Sequence, residues 1–275
     1  MSAVTHITST PDVAAEMALE GRRIVDAARE RGLTLRLLGG LAVRDHCEVL
    51  SFCGRDHSDL DLVGLRAESR DVAQLFAALG YAERREVREA TIMGQAQFVR
   101  SCVHVLPDGA GAMHADDHAD VFYDVFRMDH DVDLRDRLEL EPYTVSSADL
   151  LLTKLQVARL ESRDVRDIVT LLKDVPLAEG HVAGAIDLDY AATLCARDWG
   201  LWHDVTVNLR RTRDELDGFG LEAADRERVE EAMERLSDAL EAAHKTLAWR
   251  LRARVGTRMR WHAEVEEQDG PVPSE

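Results

Sequence analysis

The sequence lacks the features of a membrane or secreted protein. Its 275 residues include no apolar run that approaches the roughly 20 residues of a membrane-spanning helix. The N-terminus, MSAVTHITSTPDVAAE, has no basic region followed by an apolar segment, so it does not resemble a secretory signal. We therefore expect a cytoplasmic protein with no membrane partner.

Aromatic residues and cysteines are scarce. Aromatic residues make up 5% of the chain and hydrophobic residues 45%, so the core must consist mainly of leucine, valine and alanine. The cysteines Cys47, Cys53, Cys102 and Cys195 form no CxxC pair, which argues against a structural zinc site. We expect them to be reduced thiols.

Positive charge is also in short supply, since the formal net charge is −18. The negative electrostatic potential of such a protein repels phosphate and disfavours non-specific binding to nucleic acid, but it suits a cationic partner. One stretch, HKTLAWRLRARVGTRMRWHAE, is locally basic and contains Trp249 and Trp261. Charge and stacking would let such a segment bind RNA. In so acidic a chain we favour a solvated helix whose tryptophans pack on the domain.

Periodicity and turn signals predict mixed elements in the first half of the chain. A helix is expected from Ser9-Thr10-Pro11 to about Gly32, and Ser69 is expected to cap another. The remaining predicted elements are strands at 33–38, 59–65 and 119–126, helices at 41–50 and 70–79, extended segments within 84–106, and a loop at 107–118.

From about residue 145 the pattern becomes helical. Ser146-Ser147-Ala148-Asp149 opens this part in the manner of a capping box. The predicted helices are 147–160, 162–174, 187–198, 201–217 and 222–260. We thus expect an α+β fold in which an N-terminal α/β domain with a short mixed sheet (1–142) precedes an all-helical domain (143–263). An acidic tail (264–275) is expected to be disordered.

Two aspartates interrupt the apolar strand DLDLVGL. Residues two apart in a strand face the same side, so Asp59 and Asp61 project together. Burying such carboxylates is costly unless they are paired or bound to a metal, and their hard oxygens suit Mg²⁺. If the strand that contains ADVF pairs beside this one, Asp120 adds a third carboxylate, with Asp124 as the alternative. Three carboxylates can hold one or two magnesium ions about 4 Å apart for displacement at phosphorus.

Other residues near this pair are suited to contact phosphate. Gly39-Gly40 lies between a strand and a helix, where backbone N–H groups can approach phosphate oxygens without an intervening Cβ. Arg55 and Ser58 flank the acidic pair and are further candidates for phosphate contacts. A cluster of His114, Asp116 and His118 suggests zinc, but we favour a loop beside the active site.

These blocks resemble a known family. "LLGGLAVRDHC…GRDHSDLDLVG" resembles the signature of the nucleotidyltransferase superfamily, whose fold is shared with DNA polymerase β. "HADVFYDVFRMDHDVDLRDRLE" is similar to the third-acid strand of small bacterial members. "SADLLLTKLQVARLESRDVRDIVTLL" is similar to the start of the helical domain in AbiEii-type toxins. Gly40 stands where the signature commonly has serine.

The resemblance also implies roles for residues on two successive helices. It implies that Lys154 faces the nucleotide triphosphate, together with Asp167 or, as the competitor, Asp164. The alternatives are a surface lysine at position 154 and a solvated Asp167 paired with Arg163 four residues earlier.

The implied activity is a transfer of NMP from a nucleoside triphosphate to a hydroxyl acceptor, dependent on Mg²⁺ or Mn²⁺, with release of pyrophosphate. The acceptor class is open between tRNA, a protein and a small molecule such as an antibiotic. An antitoxin partner would accompany the toxin-like resemblance, and nucleic acid binding is not supported by the net charge. The alternatives are a non-catalytic member that binds nucleotide or a partner, and a metal-dependent glycosyltransferase, against which the Gly-Gly turn argues.

Overall fold

The protein is described by a computed structural model that covers residues 13–53, 59–84, 95–105 and 112–263, with only the backbone at 13, 101–105 and 112–117. The helices are α1 Val13–Glu30, α2 Gly39–Asp45, α3 Ser69–Ala78, α4 Ser147–Leu155, α5 Ser162–Asp174, α6 Leu188–Arg197, α7 Trp199–Glu215, α8 Ala223–Ala242 and α9 Leu247–Val255. The strands are β1 Leu35–Leu37, β2 Asp59–Gly64, β3 Ala82–Glu83, β4 Gln95–Val105, β5 Ala112–Tyr123, β6 Val125–Arg127, β7 Asp131–Asp133, β8 Leu177–Ala178 and β9 Ile186–Asp187.

A mixed sheet forms the centre of the N-terminal part, with the strand order β1-β2-β5-β4-β3. β2 and β5 are parallel, and the other neighbours are antiparallel. The alternation in β2 places Leu60 and Leu62 in the core, where both are buried, and leaves its aspartates on the other face. Phe76 of α3 stacks on Phe98 of β4 at a centroid distance of 4.1 Å. The predicted α+β class with a short mixed sheet is confirmed.

The helical part begins where the capping signal predicts. The Ser146 hydroxyl accepts a hydrogen bond from the Asp149 backbone N–H and so caps α4. The predicted helix 222–260 is wrong in its centre, because α8 ends at Ala242 and a new helix starts at Leu247. The Thr246 hydroxyl accepts from the Trp249 N–H, and this second cap separates the two helices.

The two halves of the chain share one apolar core. Buried side chains such as Leu62 of the sheet and Ile168 of α5 belong to the same cluster. The segment after residue 142 runs along β1: the Leu37 N–H donates to the Tyr143 carbonyl at 2.8 Å, and the Val145 N–H donates to the Leu37 carbonyl at 3.0 Å. A division into domains at 142 and 263 stays a prediction, and the acidic tail lies outside the described residues.

The predicted loop at 107–118 is wrong for residues 112–118, which belong to β5. His114, Asp116 and His118 therefore lie on a strand, since antiparallel pairing with β4 extends past the turn-rich sequence. The predicted strand 119–126 is interrupted at Asp124, whose φ is +63°. The Asp124 carboxylate accepts from the Arg66 N–H at 2.9 Å, so this residue stabilises a bend instead of extending the strand.

The cap assigned to Ser69 is also wrong. A 3₁₀ turn, Arg66–Glu68, leads directly into α3, so Ser69 is already helical and Glu68 occupies the cap position without a side-chain hydrogen bond. The Glu68 carboxylate instead accepts from the Thr34 N–H at 2.7 Å. It thereby ties the start of α3 to the chain that enters β1.

A disulfide joins Cys47 and Cys53, with a Cα–Cα distance of 6.5 Å, so the expectation of reduced thiols is wrong for this pair. Cys195 is a buried free thiol. The loop that the disulfide closes contacts α5, because the Glu48 N–H donates to the Asp174 carboxylate at 3.0 Å. No helix within the described ranges is both long and apolar enough to cross a membrane.

Replacing the pair by Cys47→Ser and Cys53→Ala should lower the free energy of unfolding by about 2 kcal/mol, because a short cross-linked loop restricts the unfolded chain. Urea denaturation under non-reducing conditions measures this loss. Reductant should lower the stability of the natural protein by the same amount and leave the double variant unchanged. A natural protein that is insensitive to reductant would contradict the disulfide.

Candidate active site

The carboxylates that the sequence singles out lie on adjacent strands. Asp61 of β2 is in register with Asp120 of β5, which is in turn in register with Gln97 of β4. Asp59 precedes Asp61 by two residues and is exposed, while Asp61 and Asp120 are half-buried. The parallel pairing of β2 and β5 therefore places Asp120 beside the Asp59–Asp61 pair.

Asp120 lies in a polar row of the sheet. The Gln97 Nε2 donates to Asp120 Oδ1 at 3.1 Å. Burial raises the pKa of the Asp120 carboxyl above its usual range, and the nearby Asp59 carboxylate raises this pKa further, whereas hydrogen bonds from Gln97 and Gln95 oppose the shift. In the protein alone this carboxyl thus keeps its proton to a higher pH than an exposed aspartate.

The Gly-Gly turn packs directly against Asp61. Gly39 has a φ of +68° and is the first residue of α2. A Cβ at this position would overlap the Asp61 carboxylate and lie 3.0 Å from its carboxyl carbon. The Leu38 N–H donates to the Asp61 carbonyl at 2.9 Å, which holds the turn against β2. Only glycine satisfies both the backbone conformation and the available space.

A cleft of about 330 Å³ is lined by residues of both the sheet and the helical part, and Asp120 is not among these lining residues. Asp59 and Asp61 of β2 line it together with Lys154 of α4. The rest of its lining is Leu38, Gly39, Gly40, Phe122, Phe126, Met128, Thr153, Val157, Arg163 and Asp164. Among these residues, the rings of Phe122 and Phe126 form an edge-to-face pair with centroids 4.9 Å apart. The cleft therefore combines carboxylates, a cation and an apolar wall.

Lys154 is held by two carboxylates of α5. Its Nζ lies 2.9 Å from Asp167 Oδ2 and 3.2 Å from Asp164 Oδ1. The Lys154 side chain is 13% exposed and that of Asp167 is 5% exposed, so neither is a solvated surface residue. The alternative pairing of Asp167 with Arg163 is wrong, because Arg163 pairs with Glu161 at 2.8 Å. A direct contact of Asp167 with nucleotide stays a prediction.

The candidate oxygen donors for a magnesium ion at this site are the carboxylates of Asp59 and Asp61. Among the described residues, no group of three His, Cys, Asp or Glu side chains forms a ready-made metal site. Mg²⁺ is commonly held by one or two carboxylates together with substrate oxygens, and Asp59 and Asp61 fit that pattern. Arg55 and Ser58 lie outside the described residues, so their predicted phosphate contacts stay predictions.

The sequence alone did not indicate that Gln95 and Gln97 of β4 lie beside Asp120, or that Phe122 and Phe126 line the cleft. The segment Gln95-Ala96-Gln97-Phe98 alternates polar and apolar residues, and this signal marks a strand with one polar face. Phe122 and Phe126 carry no comparable signal, since apolar residues in a strand usually belong to the core.

The tryptophans of the basic C-terminal stretch pack on the helical part, as predicted. Trp249 contacts Trp202 at a centroid distance of 5.2 Å. The Trp261 Nε1 donates to Asp204 Oδ1 at 2.9 Å, and His130 Nε2 lies 2.7 Å from the same carboxylate. The rings of Trp249 and Trp261 therefore both contact other side chains of the protein.

Gly39→Ala should lower the free energy of unfolding by about 2 to 3 kcal/mol, because it adds both a left-handed backbone strain and a clash with Asp61. Gly32→Ala is the matched control. Gly32 has a similar φ of +71° but no atom within 4 Å of its ideal Cβ. The free energy of unfolding of Gly32→Ala, measured by chemical denaturation, should fall by only about 1 kcal/mol. Equal losses in the two variants would show that Gly39 does not depend on its contact with Asp61.

Lys154→Met should destabilise the protein by about 3 kcal/mol, because it removes the ammonium that pairs with the buried carboxylate of Asp167. Adding Asp167→Asn to this variant should restore part of the loss, since the second change removes the buried negative charge with which Lys154 had paired. The free energies from urea unfolding of both single variants and the double variant test this coupling. Strictly additive losses would contradict a buried ion pair.

Comparison with known proteins gave only distant similarities. No protein-family model matches the chain, and no curated protein matches it. Among solved structures, the chain is similar to an antigenic nucleotidyltransferase-like protein from Paracoccidioides brasiliensis. Their identity is 13% and the TM-score is 0.44, with 85% of this chain and 96% of that chain covered.

Two structures of ANT(2″)-Ia also resemble the chain. The complex with adenylyl-2″-tobramycin is 16% identical, with a TM-score of 0.33 and coverage of 57% of this chain and 87% of that one. The solution structure of this antibiotic-resistance factor is 17% identical, with a TM-score of 0.32 and coverage of 89% and 96%. Similarities at this level do not decide the activity of the chain, and the resemblance to AbiEii-type toxins stays a prediction.

Proposed function

We propose that the chain is a metal-dependent nucleotidyltransferase that moves an NMP from a nucleoside triphosphate to a hydroxyl acceptor. The observation that carries this proposal is the shared cleft, which Asp59 and Asp61 line together with Gly39 and Lys154. The register of Asp61 with Asp120 adds the third carboxylate that such a reaction uses.

In this proposal Lys154 supplies positive charge for the triphosphate, and Gly39 supplies a turn without a side chain. Lys154 would pair with the triphosphate as a compact positive charge, and Asp164 and Asp167 would keep its ammonium in place. The absence of a Cβ at Gly39 lets the Asp61 carboxylate lie against the turn that would bind the phosphates. Positioning of this kind supplies much of the rate in phosphoryl transfer.

Asp59 and Asp61 would hold Mg²⁺ or Mn²⁺, with Asp120 as a ligand or as the base that receives the acceptor proton. The bound ion would supply charge neutralisation of the phosphate oxygens. In the reaction the acceptor oxygen forms a bond to the α-phosphorus, the bond from that phosphorus to the β-phosphate oxygen breaks, and pyrophosphate leaves. The acceptor hydroxyl loses its proton in the same step.

The biological setting is also part of the proposal. A cytoplasmic location is expected from the N-terminal sequence and the lack of a long apolar run, and an antitoxin partner follows only from the sequence resemblance. The resemblance leaves the acceptor open between tRNA, a protein and a small molecule.

The double variant Asp59→Asn/Asp61→Asn should reduce transfer at least about 100-fold, because it removes the charge that would bind the metal–triphosphate complex. The assay follows label from each α-labelled nucleoside triphosphate, with Mg²⁺, into the components of a cell extract. Loss of label transfer in the absence of divalent cation should match the loss in the variant.

Asp71→Asn/Asp214→Asn is the matched control, since both of these aspartates are exposed and neither lines the cleft. This variant should transfer label at the rate of the natural protein. Equal transfer by the two double variants would refute the proposed role of Asp59 and Asp61. Nucleotide binding that depends on Asp59 and Asp61, without transfer to any component, would favour the non-catalytic alternative.

A further inference from the structure

Asp120 is set back from the cleft. It is half-buried on β5, in register with Asp61, and it is not among the described residues that line the cleft. The Asp59 carboxylate acts on it electrostatically, so these acids lie close enough to interact. An aspartate in this position can reach a bound ion or an acceptor hydroxyl in only some of its side-chain rotamers. Its contribution to the proposed reaction therefore depends on which rotamer is held.

Two glutamines of β4 contact the Asp120 carboxylate from the side opposite Asp61, because β5 lies between β2 and β4 in the sheet. Gln97 is the in-register partner of Asp120, and its Nε2 donates to Asp120 Oδ1 at 3.1 Å. Gln95 is the diagonal neighbour of Asp120 on the same face of the sheet and donates a second hydrogen bond.

Neutral amides are well suited to this position. A lysine or arginine in place of Gln97 would pair with Asp120 and compete with a metal ion for its charge. A carboxylate there would add to the repulsion that Asp59 already exerts on Asp120. A carboxylate has about four lone-pair sites, so two amide hydrogen bonds fix its orientation and leave the other sites available.

The glutamines are placed to act on Asp120 and not on a substrate. Neither of them is among the described residues that line the cleft, and both are half-buried. The backbone that carries them is held by the opposite face of β4, where Ala96 and Phe98 are buried in the core. We therefore expect an effect of these side chains on the reaction to pass through the Asp120 carboxylate.

We propose that Gln97, assisted by Gln95, is a positioning residue that holds the Asp120 carboxylate in the orientation required for nucleotide transfer. This inference rests on the proposed nucleotidyltransferase activity and adds two residues to it. Hydrogen-bond partners that orient a ligating carboxylate are commonly worth about 10- to 100-fold in metal affinity or activity. If the glutamines only completed the polar face of the sheet, their loss would change stability and leave turnover unchanged.

Gln97→Met removes the hydrogen-bond donor and keeps a side chain of similar length. It should lower kcat about tenfold and change the KM for the nucleoside triphosphate less than about twofold, since Asp59 and Asp61 remain in place. Gln74→Met is the matched control, because Gln74 is exposed on α3 and does not line the cleft. Urea unfolding shows which variants are folded, and Gln95→Met, with a smaller expected loss, replaces Gln97→Met if the latter is not.

A double-mutant cycle tests whether Gln97 acts through Asp120. Asp120→Asn should lower kcat about 100-fold, and adding Gln97→Met should cause no further loss. Multiplied losses in the double variant would overturn the proposal, as would equal kcat values for Gln97→Met and Gln74→Met. A loss confined to KM would also overturn it, since that result would assign Gln97 to nucleotide binding.

Mn²⁺ binding gives a readout that requires no turnover. EPR measures the free ion when Mn²⁺ is titrated into the full chain with a triphosphate analogue that carries a methylene between the α- and β-phosphorus atoms. Binding about tenfold weaker in Gln97→Met than in Gln74→Met would support the proposal with Asp120 as a metal ligand. Equal binding together with the lower kcat would support it with Asp120 as the base.

These measurements separate the two proposals. Transfer that depends on Asp59 and Asp61 but is equal in Gln97→Met and Gln74→Met would refute the role of Gln97 and retain the activity. Absence of any transfer that depends on Asp59 and Asp61 would refute the activity. In that case weaker Mn²⁺ binding in Gln97→Met would still retain the positioning role, and equal binding would refute it as well.

Discussion

The close approach of Gly39 to the Asp61 carboxylate is the constraint on which the rest of the site depends. It requires a left-handed backbone at the start of α2 and excludes any side chain there. The hydrogen bond from Leu38 to the Asp61 carbonyl holds the same turn against β2. Because β2 pairs in parallel with β5, the placement of Asp61 also determines where Asp120 lies relative to the turn.

The helical part contributes the largely buried side chain of Lys154 to the lining of the cleft. Lys154 reaches the cleft from α4 but is held by two aspartates of α5, so the geometry of the cation depends on the packing of these helices. A buried ammonium of this kind is retained only where nearby carboxylates offset its desolvation. The single apolar core that joins the sheet to these helices keeps the two sides of the cleft together.

Much of this arrangement could be predicted from local pattern. The alternation of DLDLVGL places Asp59 and Asp61 on one face, and Ser146 begins a helix as its capping signal indicates. Local pattern failed where a partner decides the conformation. Residues 112–118 look like a loop but pair with β4, and the helix predicted for 222–260 divides because Thr246 caps a new one.

The sequence by itself determined which carboxylates share one face of a strand and where a glycine turn precedes them, because strand alternation and glycine geometry are local properties. Only the tertiary structure decided which distant residues meet them. Asp167 contacts Lys154 and not Arg163, since the packing of α5 on α4 sets that distance. The basic C-terminal segment packs on the helical part for the same reason. Its arrival there depends on contacts more than fifty residues apart, such as that of Trp261 with Asp204, which no local pattern encodes.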